Sequence, residues 1–310
     1  MGDPAVGGWR TRVPASSANL GPGFDALGVA LGIYLDCRFR PSDRVRIAVA
    51  GRDAEAISTG EDNLIWQTAA QVAEAHGRAI APAEIEIRNG IPLGKGLGSS
   101  AAALVTGVII ADRLLGLHWK PQRILDEAAR IEGHPDNVAA CVLGSIVATA
   151  LDHGNVARAV RLEMHPSYQL AVVAPDFDLP TREARAVLPE SYSKADAIFN
   201  VQRASLLIAA LITGTTSAFP AALEDRMHQP FRSRLVPGLE AILRLRAPGL
   251  LGCTLSGAGP SVLVFHEKGH EEVCDLVRQI FEHHGRRSEV LKAAICTAGY
   301  TIEEDSEPWA

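Results

Sequence analysis

The run Ile91-Pro92-Leu93-Gly94-Lys95-Gly96-Leu97-Gly98-Ser99-Ser100-Ala101-Ala102-Ala103 has the make-up of an anion cradle. Gly94, Gly96 and Gly98 free the backbone to take positive φ and to come close to a ligand. Ser99 and Ser100 stand where a helix would begin, so unpaired N–H groups and the positive end of the helix dipole converge on one point. Such a point binds phosphate. The plainer reading is a glycine-rich turn closed by a serine N-cap, but three alternating glycines and two serines exceed what that turn needs. The pattern Gly-x-x-x-x-Gly-Lys-[Ser/Thr] is absent, so this is not a Walker A loop. The dinucleotide fingerprint fits poorly too, because no acidic residue closes a plausible second strand about 20 residues later.

Other groups with chemical potential lie elsewhere in the chain. Glu132, at a helix end beside a loop, could give Mg²⁺ one oxygen while phosphate oxygens supply others; on its own it reads as a solvated helix-end charge. Asp136, in His134-Pro135-Asp136-Asn137, is a candidate acceptor and equally a good N-cap for a helix from Val138. His134 reads as structural, since no second His lies four residues on. Ser256 sits in Leu255-Ser256-Gly257-Ala258-Gly259-Pro260 without the Gly-x-Ser-x-Gly of a nucleophile elbow, which suits a close backbone approach beside a ligand. The loop Ser16–Asp25 is dense in Ser, Asn, Gly, Pro and Asp, and its polar tips Asn19 and Asp25 suit a small polar ligand, although such a composition also makes a plain turn. Arg185, Arg232 and Arg234 could each fork onto a carboxylate or phosphate. Taken together, a phosphate loop, an acidic Glu132 and polar loops point to ATP-dependent phosphoryl transfer to a small acceptor.

These groups need a frame. Thr11–Ala15 reads as an extended run into the first loop, and Gly32–Arg40 and Val45–Ala50 as strands of a hairpin. An amphipathic helix follows from Asp62 to the stop at Gly77. Glu84–Arg88 is a strand feeding the glycine loop and an Ala-rich helix that is apolar almost all round, hence buried. Pro121 opens the next helix, which ends at Glu132; Val138–Leu143 is a short helix and Ser145–Ala150 a strand. Turn signals in His153–Pro166 place a domain boundary there, giving 1–160 and 161–310. The second half offers strands at Tyr168–Ala174, Val262–Phe265 and Glu289–Thr297, and helices at Asn200–Thr213, Pro237–Arg246 and Glu271–His284. Met1–Gly8 and the acidic Glu303–Glu307 read as frayed ends.

Length and composition exclude several classes. A chain of 310 residues, 47% hydrophobic and 21% charged, has ample material for a globular core. The net charge of −6, with no basic run and few aromatics, argues against a nucleic-acid partner. No uninterrupted apolar run reaches the ~18–20 residues of a membrane span, and no signal peptide is visible. Cys37, Cys141, Cys253, Cys274 and Cys296 are odd in number and scattered, as suits reduced thiols in a cytoplasm.

Three segments together resemble the GHMP family of small-molecule kinases: Val13-Pro14-Ala15-Ser16-Ser17-Ala18-Asn19-Leu20-Gly21-Pro22-Gly23-Phe24-Asp25, then Pro92–Ala102, then Leu255–Ser261. They occur in the family's order over nearly the whole chain. The first segment and Glu132-Gly133-His134-Pro135-Asp136-Asn137 look most like the branch that phosphorylates L-homoserine on the way to threonine. The resemblance implies an α+β, two-domain GHMP kinase fold, with an N-terminal domain like domain 2 of ribosomal protein S5 and a ferredoxin-like C-terminal domain. It implies ATP and Mg²⁺, a small-molecule substrate and a homodimer, with the active site between the domains. By the same resemblance Pro92–Ala102 wraps the triphosphate, Ser99 and Ser100 lie near its β- and γ-phosphates, and Ser100 and Glu132 hold Mg²⁺. Asn63 lies near the adenine. Asn19, Asp25, Asp136 and Asn137 hold the amino and hydroxyl groups of homoserine; Arg185, in Thr181-x-x-x-Arg185, and Arg232 take its carboxylate, with Arg234 a close rival. Ser100, Glu132 and Asp136 form the catalytic set, Asp136 as general base or as an aligning group. Another amino alcohol or polyol as acceptor, or a non-catalytic ligand-binding protein of this fold, are the competing readings.

Overall fold

The computed structural model describes residues 7–154, 156–291 and 293–305. Met1–Val6 and the residues after Asp305 lie outside it, as do those parts of the two ends read as frayed. The chain runs β1 (Gly8–Ala18), β2 (Leu27–Pro41), β3 (Arg46–Gly51), α1 (Leu64–Ala75), β4 (Ala83–Asn89), α2 (Ser99–Leu114), α3 (Pro121–Glu132), α4 (Asp136–Leu143), β5 (Ile146–Leu151) and β6 (Ala157–Leu162). It continues through β7 (Tyr168–Pro175), α5 (Thr181–Ala186), α6 (Lys194–Thr213), α7 (Phe219–Ala222), α8 (Gln229–Arg232), α9 (Leu239–Arg244), β8 (Leu250–Leu255), β9 (Val262–Glu267), α10 (Val273–His283), β10 (Ser288–Leu291) and β11 (Thr301–Asp305).

The first sheet has the order β11-β1-β2-β4-β3, with β5 beside the start of β2 and β6 beside β5. The expected hairpin of β2 and β3 does not form. β4 lies between them, antiparallel to β2, and β3 runs parallel to β4. The physical reason is the connection: α1 joins β3 to β4 as a crossover, and only a crossover lets sequential strands pair in parallel. The acidic end is not frayed as far as Asp305, because β11 pairs antiparallel with β1. There Asp305 is buried and its carboxylate accepts from Arg38 Nε at 2.5 Å. The last strand of the second half is also shorter than expected, since β10 ends at Leu291 and Ile295 makes only an isolated bridge with Leu31.

The second sheet has the order β10-β7-β9-β8, antiparallel throughout. With its helices this is the β-α-β-β-α-β arrangement of a ferredoxin-like domain. Its strands read as unbroken apolar runs because both faces are covered. Leu170 and Val172 join the core shared with the first sheet, while Ala171 and Val173 face a second core with Val277 and Phe281 of α10.

Helix α2 occupies the centre of the first core, with Ala101, Ala102, Val105, Val108 and Ile110 all fully buried. In contrast α6, of 20 residues, is long and apolar enough to cross a bilayer by length and composition alone, which the sequence reading did not anticipate. It packs through Asn200, Leu207, Ala210 and Leu211 and leaves Ile198, Val201, Leu206 and Ile212 exposed.

Gly107 lets α2 lie against α1: a Cβ there would sit 2.5 Å from both the Ile65 carbonyl oxygen and Thr68 Cβ. Helix propensity alone would make Gly107→Ala stabilising by about 1 kcal/mol. Overpacking of ~1–3 kcal/mol acts against it. We expect Gly107→Ala to lower the urea midpoint of unfolding; a raised midpoint would show that α1 and α2 part freely.

Candidate active site

The three glycine-containing segments meet at one cleft, and their contacts explain why small residues are needed. Gly94, Gly96 and Gly98 all have positive φ, near 66°, 70° and 67°. A Cβ on Gly96 would lie 2.3 Å from the Ser256 carbonyl oxygen, and one on Gly98 would lie 2.0 Å from Ser16 Oγ. The Ser256 hydroxyl donates to the Gly96 carbonyl at 2.7 Å and lies 2.8 Å from the Ser17 hydroxyl. Ser16 N–H donates to Leu97 O, Gly257 N–H to Ala18 O, and Ser261 N–H to Lys95 O. The third segment thus fastens the end of β1 to the glycine loop.

Helix α2 opens from this loop without a side-chain cap: Gly98 is its N-cap residue and makes no side-chain hydrogen bond there. A serine N-cap is therefore not what closes the turn. Its first residues, Ser99 and Ser100, line the cleft at the positive end of the helix dipole, as an anion site requires. Lys95 turns elsewhere, donating from Nζ to Phe177 O at 2.8 Å and meeting Asp178 at 2.9 Å. Leu179 N–H donates to Gly94 O, so the loop after β7 is tied to the same turn.

The first loop bends through three non-glycine residues with positive φ, Asn19, Leu20 and Asp25. Asn19 holds that bend: its Oδ1 accepts from Asp25 N–H and its Nδ2 donates to Gly257 O. Opposite, Asp136 is buried in the first turn of α4 rather than at its N-cap. Its Oδ1 lies 2.8 Å from His134 Nδ1 and 2.7 Å from Asn137 N. One polar atom each from Asp25, His134 and Asp136 lie within 4.8 Å of one another. Burial lowers the His134 pKa, but its hydrogen bond to Asp136 and that carboxylate's charge outweigh burial and leave it raised. Asn137 accepts from the Ser16 hydroxyl at 2.9 Å.

Two arginines form the far wall. Arg185 on α5 grips Asp25 with both terminal nitrogens, at 2.9 and 3.3 Å. Arg232 on the single turn α8 is 2% exposed, and Arg234 two residues on faces solvent. Arg232 donates to Ala184 O and Gly257 O, both at 3.0 Å. Burial, together with the charge of Arg185, pulls its pKa down to about 10.

The cleft, of about 170 Å³, collects Asn19, Asp25, Pro92, Gly94–Ala101, Glu132, Asp136, Asn137, Thr181, Arg185 and Arg232. Asn63 and Leu93 lie outside it, in an adjoining hollow of about 390 Å³ shared with Ser99 and Ser100. There Asn63 also caps α1, its side chain accepting from Ile65 N–H. Ala102 lines neither: it is fully buried in the first turn of α2, with its N–H bonded to Gly98 O. Sequence reasoning passed over Phe24, which lies under both guanidinium groups at 5.4 and 5.7 Å, and His228, four residues before Arg232.

Such a cleft suits a small molecule carrying both charges beside an anion held at α2. The description "GHMP kinases N terminal domain" matches residues 63–145 and "GHMP kinases C terminal" matches residues 207–283. A homoserine kinase of Solibacter usitatus (strain Ellin6076) is 67% identical over 291 residues, covering 94% of this chain and 96% of the relative. The chain belongs to the GHMP kinase family. A homoserine kinase of Deinococcus radiodurans is 41% identical, covering 94% of this chain and 96% of its own. The crystal structure of homoserine kinase from Cytophaga hutchinsonii ATCC 33406 superposes with a TM-score of 0.82 at 27% identity, covering 98% and 99% of the two chains.

Glu132 and Ser100 also line the cleft. Glu132, at the end of α3, has its pKa raised, by burial first and by the charge of Asp136. A raised carboxyl pKa contributes stability only at low pH, and that contribution is lost as pH rises through the folded value. Glu132→Gln should therefore raise Tm of the ligand-free protein at pH 7.5, with the gain vanishing towards pH 4. The same variant should lose Mg²⁺-dependent turnover. A lower Tm at pH 7.5 would contradict the assigned burial cost.

Proposed function

We infer that this kinase transfers the γ-phosphoryl group of ATP to the side-chain hydroxyl of L-homoserine, forming O-phospho-L-homoserine, a step towards threonine. The observation that carries the reading is the pairing of Asp25 and Asp136 with Arg185 and Arg232 in a cleft that faces the open start of α2. An amino acid presents matching charges, whereas a sugar or mevalonate does not present an ammonium. The 67% identity to a homoserine kinase supports it independently.

In this reading the triphosphate lies along Pro92–Ala101, its outer phosphates against the N–H groups of Ser99 and Ser100, with the base in the hollow beside Asn63. Ser100 and Glu132 would hold Mg²⁺, which when bound neutralises charge on the phosphates. Arg185 and Arg232 take the carboxylate and Asp25 the ammonium, so the substrate's charges replace those that Arg185 and Asp25 now offer each other. Asn19 and Asn137 act mainly by holding the loop and the Asp136 turn, and Thr181 by starting α5. The expected division at residues 160 and 161 falls inside β6 of the first sheet, so a division after Leu162 leaves ATP chiefly on the first half, and the second half closes the substrate side with Arg185 and Arg232.

Asp136 faces the acceptor hydroxyl. With His134 and Asn137 N–H on Oδ1, its other oxygen is the one that aligns the hydroxyl and receives its proton. A loose transition state does not need early deprotonation, so alignment and charge stabilisation carry most of the rate effect.

Asp136→Asn should lower kcat by ~10²–10⁴-fold with little change in the KM for ATP; an unchanged kcat would remove Asp136 from this role. A coupled ADP-release assay across L-homoserine, L-threonine, L-serine and mevalonate should favour L-homoserine, and release with none of them would refute the substrate. Because each end of the substrate meets a charged partner, 3-aminopropan-1-ol and 4-hydroxybutyrate should each lose about 10–100-fold in kcat/KM. Equal turnover of either would contradict the zwitterion reading.

A further inference from the structure

His228 is fully buried just before α8 and touches both halves of the substrate wall. Its Nε2 lies 2.7 Å from the Gly21 carbonyl oxygen, within the first loop, and its Nδ1 lies 3.1 Å from Arg232 Nη1. Its ring stacks on Phe24 with centroids 5.3 Å apart. A carbonyl oxygen only accepts and a guanidinium only donates. The two contacts are satisfied together by one form alone, the neutral imidazole with its proton on Nε2.

The charged groups around the ring favour that form. Asp225 lies 3.6 Å from Nε2, but its oxygens already accept from Met227, His228 and Gln229 N–H and from Asn200. Arg232 opposes a second positive charge, and burial, the largest influence, opposes it further. Asp25 is the other nearby carboxylate, and Arg185 holds it. The consequence falls on Arg232. Its partners among the described residues are two carbonyl oxygens and a neutral ring, with no ion pair, and its Nη2 has none. A buried guanidinium left in that condition is set for an incoming anion.

We propose that His228 is a positioning residue for the substrate carboxylate, tying Gly21 of the first loop to Arg232 and aiming the uncommitted corner of that guanidinium into the cleft. This rests on the reading of the cleft as an amino-acid site. The ring is a strut of fixed length with an acceptor at one end and a donor at the other, so its two functions can be separated by substitution. In His228→Asn the amide oxygen stands near the place of Nδ1 and can accept from Arg232. In His228→Gln the amide nitrogen reaches the place of Nε2 and can donate to Gly21, leaving Arg232 without its acceptor.

The test measures kcat and the KM values for L-homoserine and ATP in the full-length wild type, His228→Asn and His228→Gln, with 3-aminopropan-1-ol as the substrate that lacks a carboxylate. His228→Gln should raise the KM for L-homoserine roughly tenfold or more, leave the KM for ATP within about twofold, and leave kcat/KM for 3-aminopropan-1-ol unchanged. His228→Asn should recover most of the loss. Equal effects in Asn and Gln, or losses shared by ATP and 3-aminopropan-1-ol, would make His228 a packing residue and overturn the proposal. Absence of wild-type turnover on L-homoserine would instead overturn the substrate reading, and this inference with it.

Discussion

The site exists because three backbone segments approach one another more closely than side chains allow. Gly96 meets Ser256 and Gly98 meets Ser16 at separations that a Cβ would close to 2.3 and 2.0 Å. The glycines therefore serve two purposes at once. Their positive φ shapes the turn, and their missing side chains let the Ser256 hydroxyl reach Gly96 O from the C-terminal half of the chain. What the ligand would meet, the uncapped start of α2, is a by-product of that docking. A residue with a Cβ at Gly96 would push the third segment away, and with it Gly257, the carbonyl on which Asn19 and Arg232 both depend.

Charge is distributed around this frame so that it is incomplete without ligands. Glu132 is a carboxylate held away from water, Arg232 a guanidinium whose hydrogen-bond partners are neutral, and Arg185 and Asp25 satisfy each other across the cleft. The buried Glu132 and Arg232 stabilise the empty protein less than solvated surface charges would. In the proposed reading, an arriving cation, carboxylate or ammonium would offset each of them. Stability and function therefore oppose each other at the same residues, the usual state of a preorganised site.

Much of this was legible in the sequence, and the remainder has physical reasons for being hidden. The strand, glycine turn and buried helix around Gly94–Ser100 announce themselves through spacing and composition, as do the polar loop ending in Asp25 and the turn carrying Asp136. The ferredoxin-like half could be anticipated only through family resemblance, since β7 and β9 are covered on both faces and show no alternation. The pairing of β11 with β1 leaves no local trace, because its register is set by residues some 290 positions apart, such as Thr11 and Thr301. Arg232 and Arg234 were indistinguishable because α8 is a single turn, too short for any periodicity to show which side faces inward. Lys95 belongs to the segment that the resemblance assigns to the triphosphate, yet Phe177 and Asp178 claim its ammonium group.

The most direct measurement is a crystal structure of the protein with Mg²⁺, a non-hydrolysable ATP analogue and L-homoserine. The account predicts the γ-phosphate at the N–H groups of Ser99 and Ser100, the carboxylate on Arg185 and Arg232, and the hydroxyl oxygen within about 2.6–3.2 Å of an Asp136 oxygen. An amino acid bound with its carboxylate turned from both arginines, or a hydroxyl out of reach of Asp136 and the γ-phosphate, would contradict it.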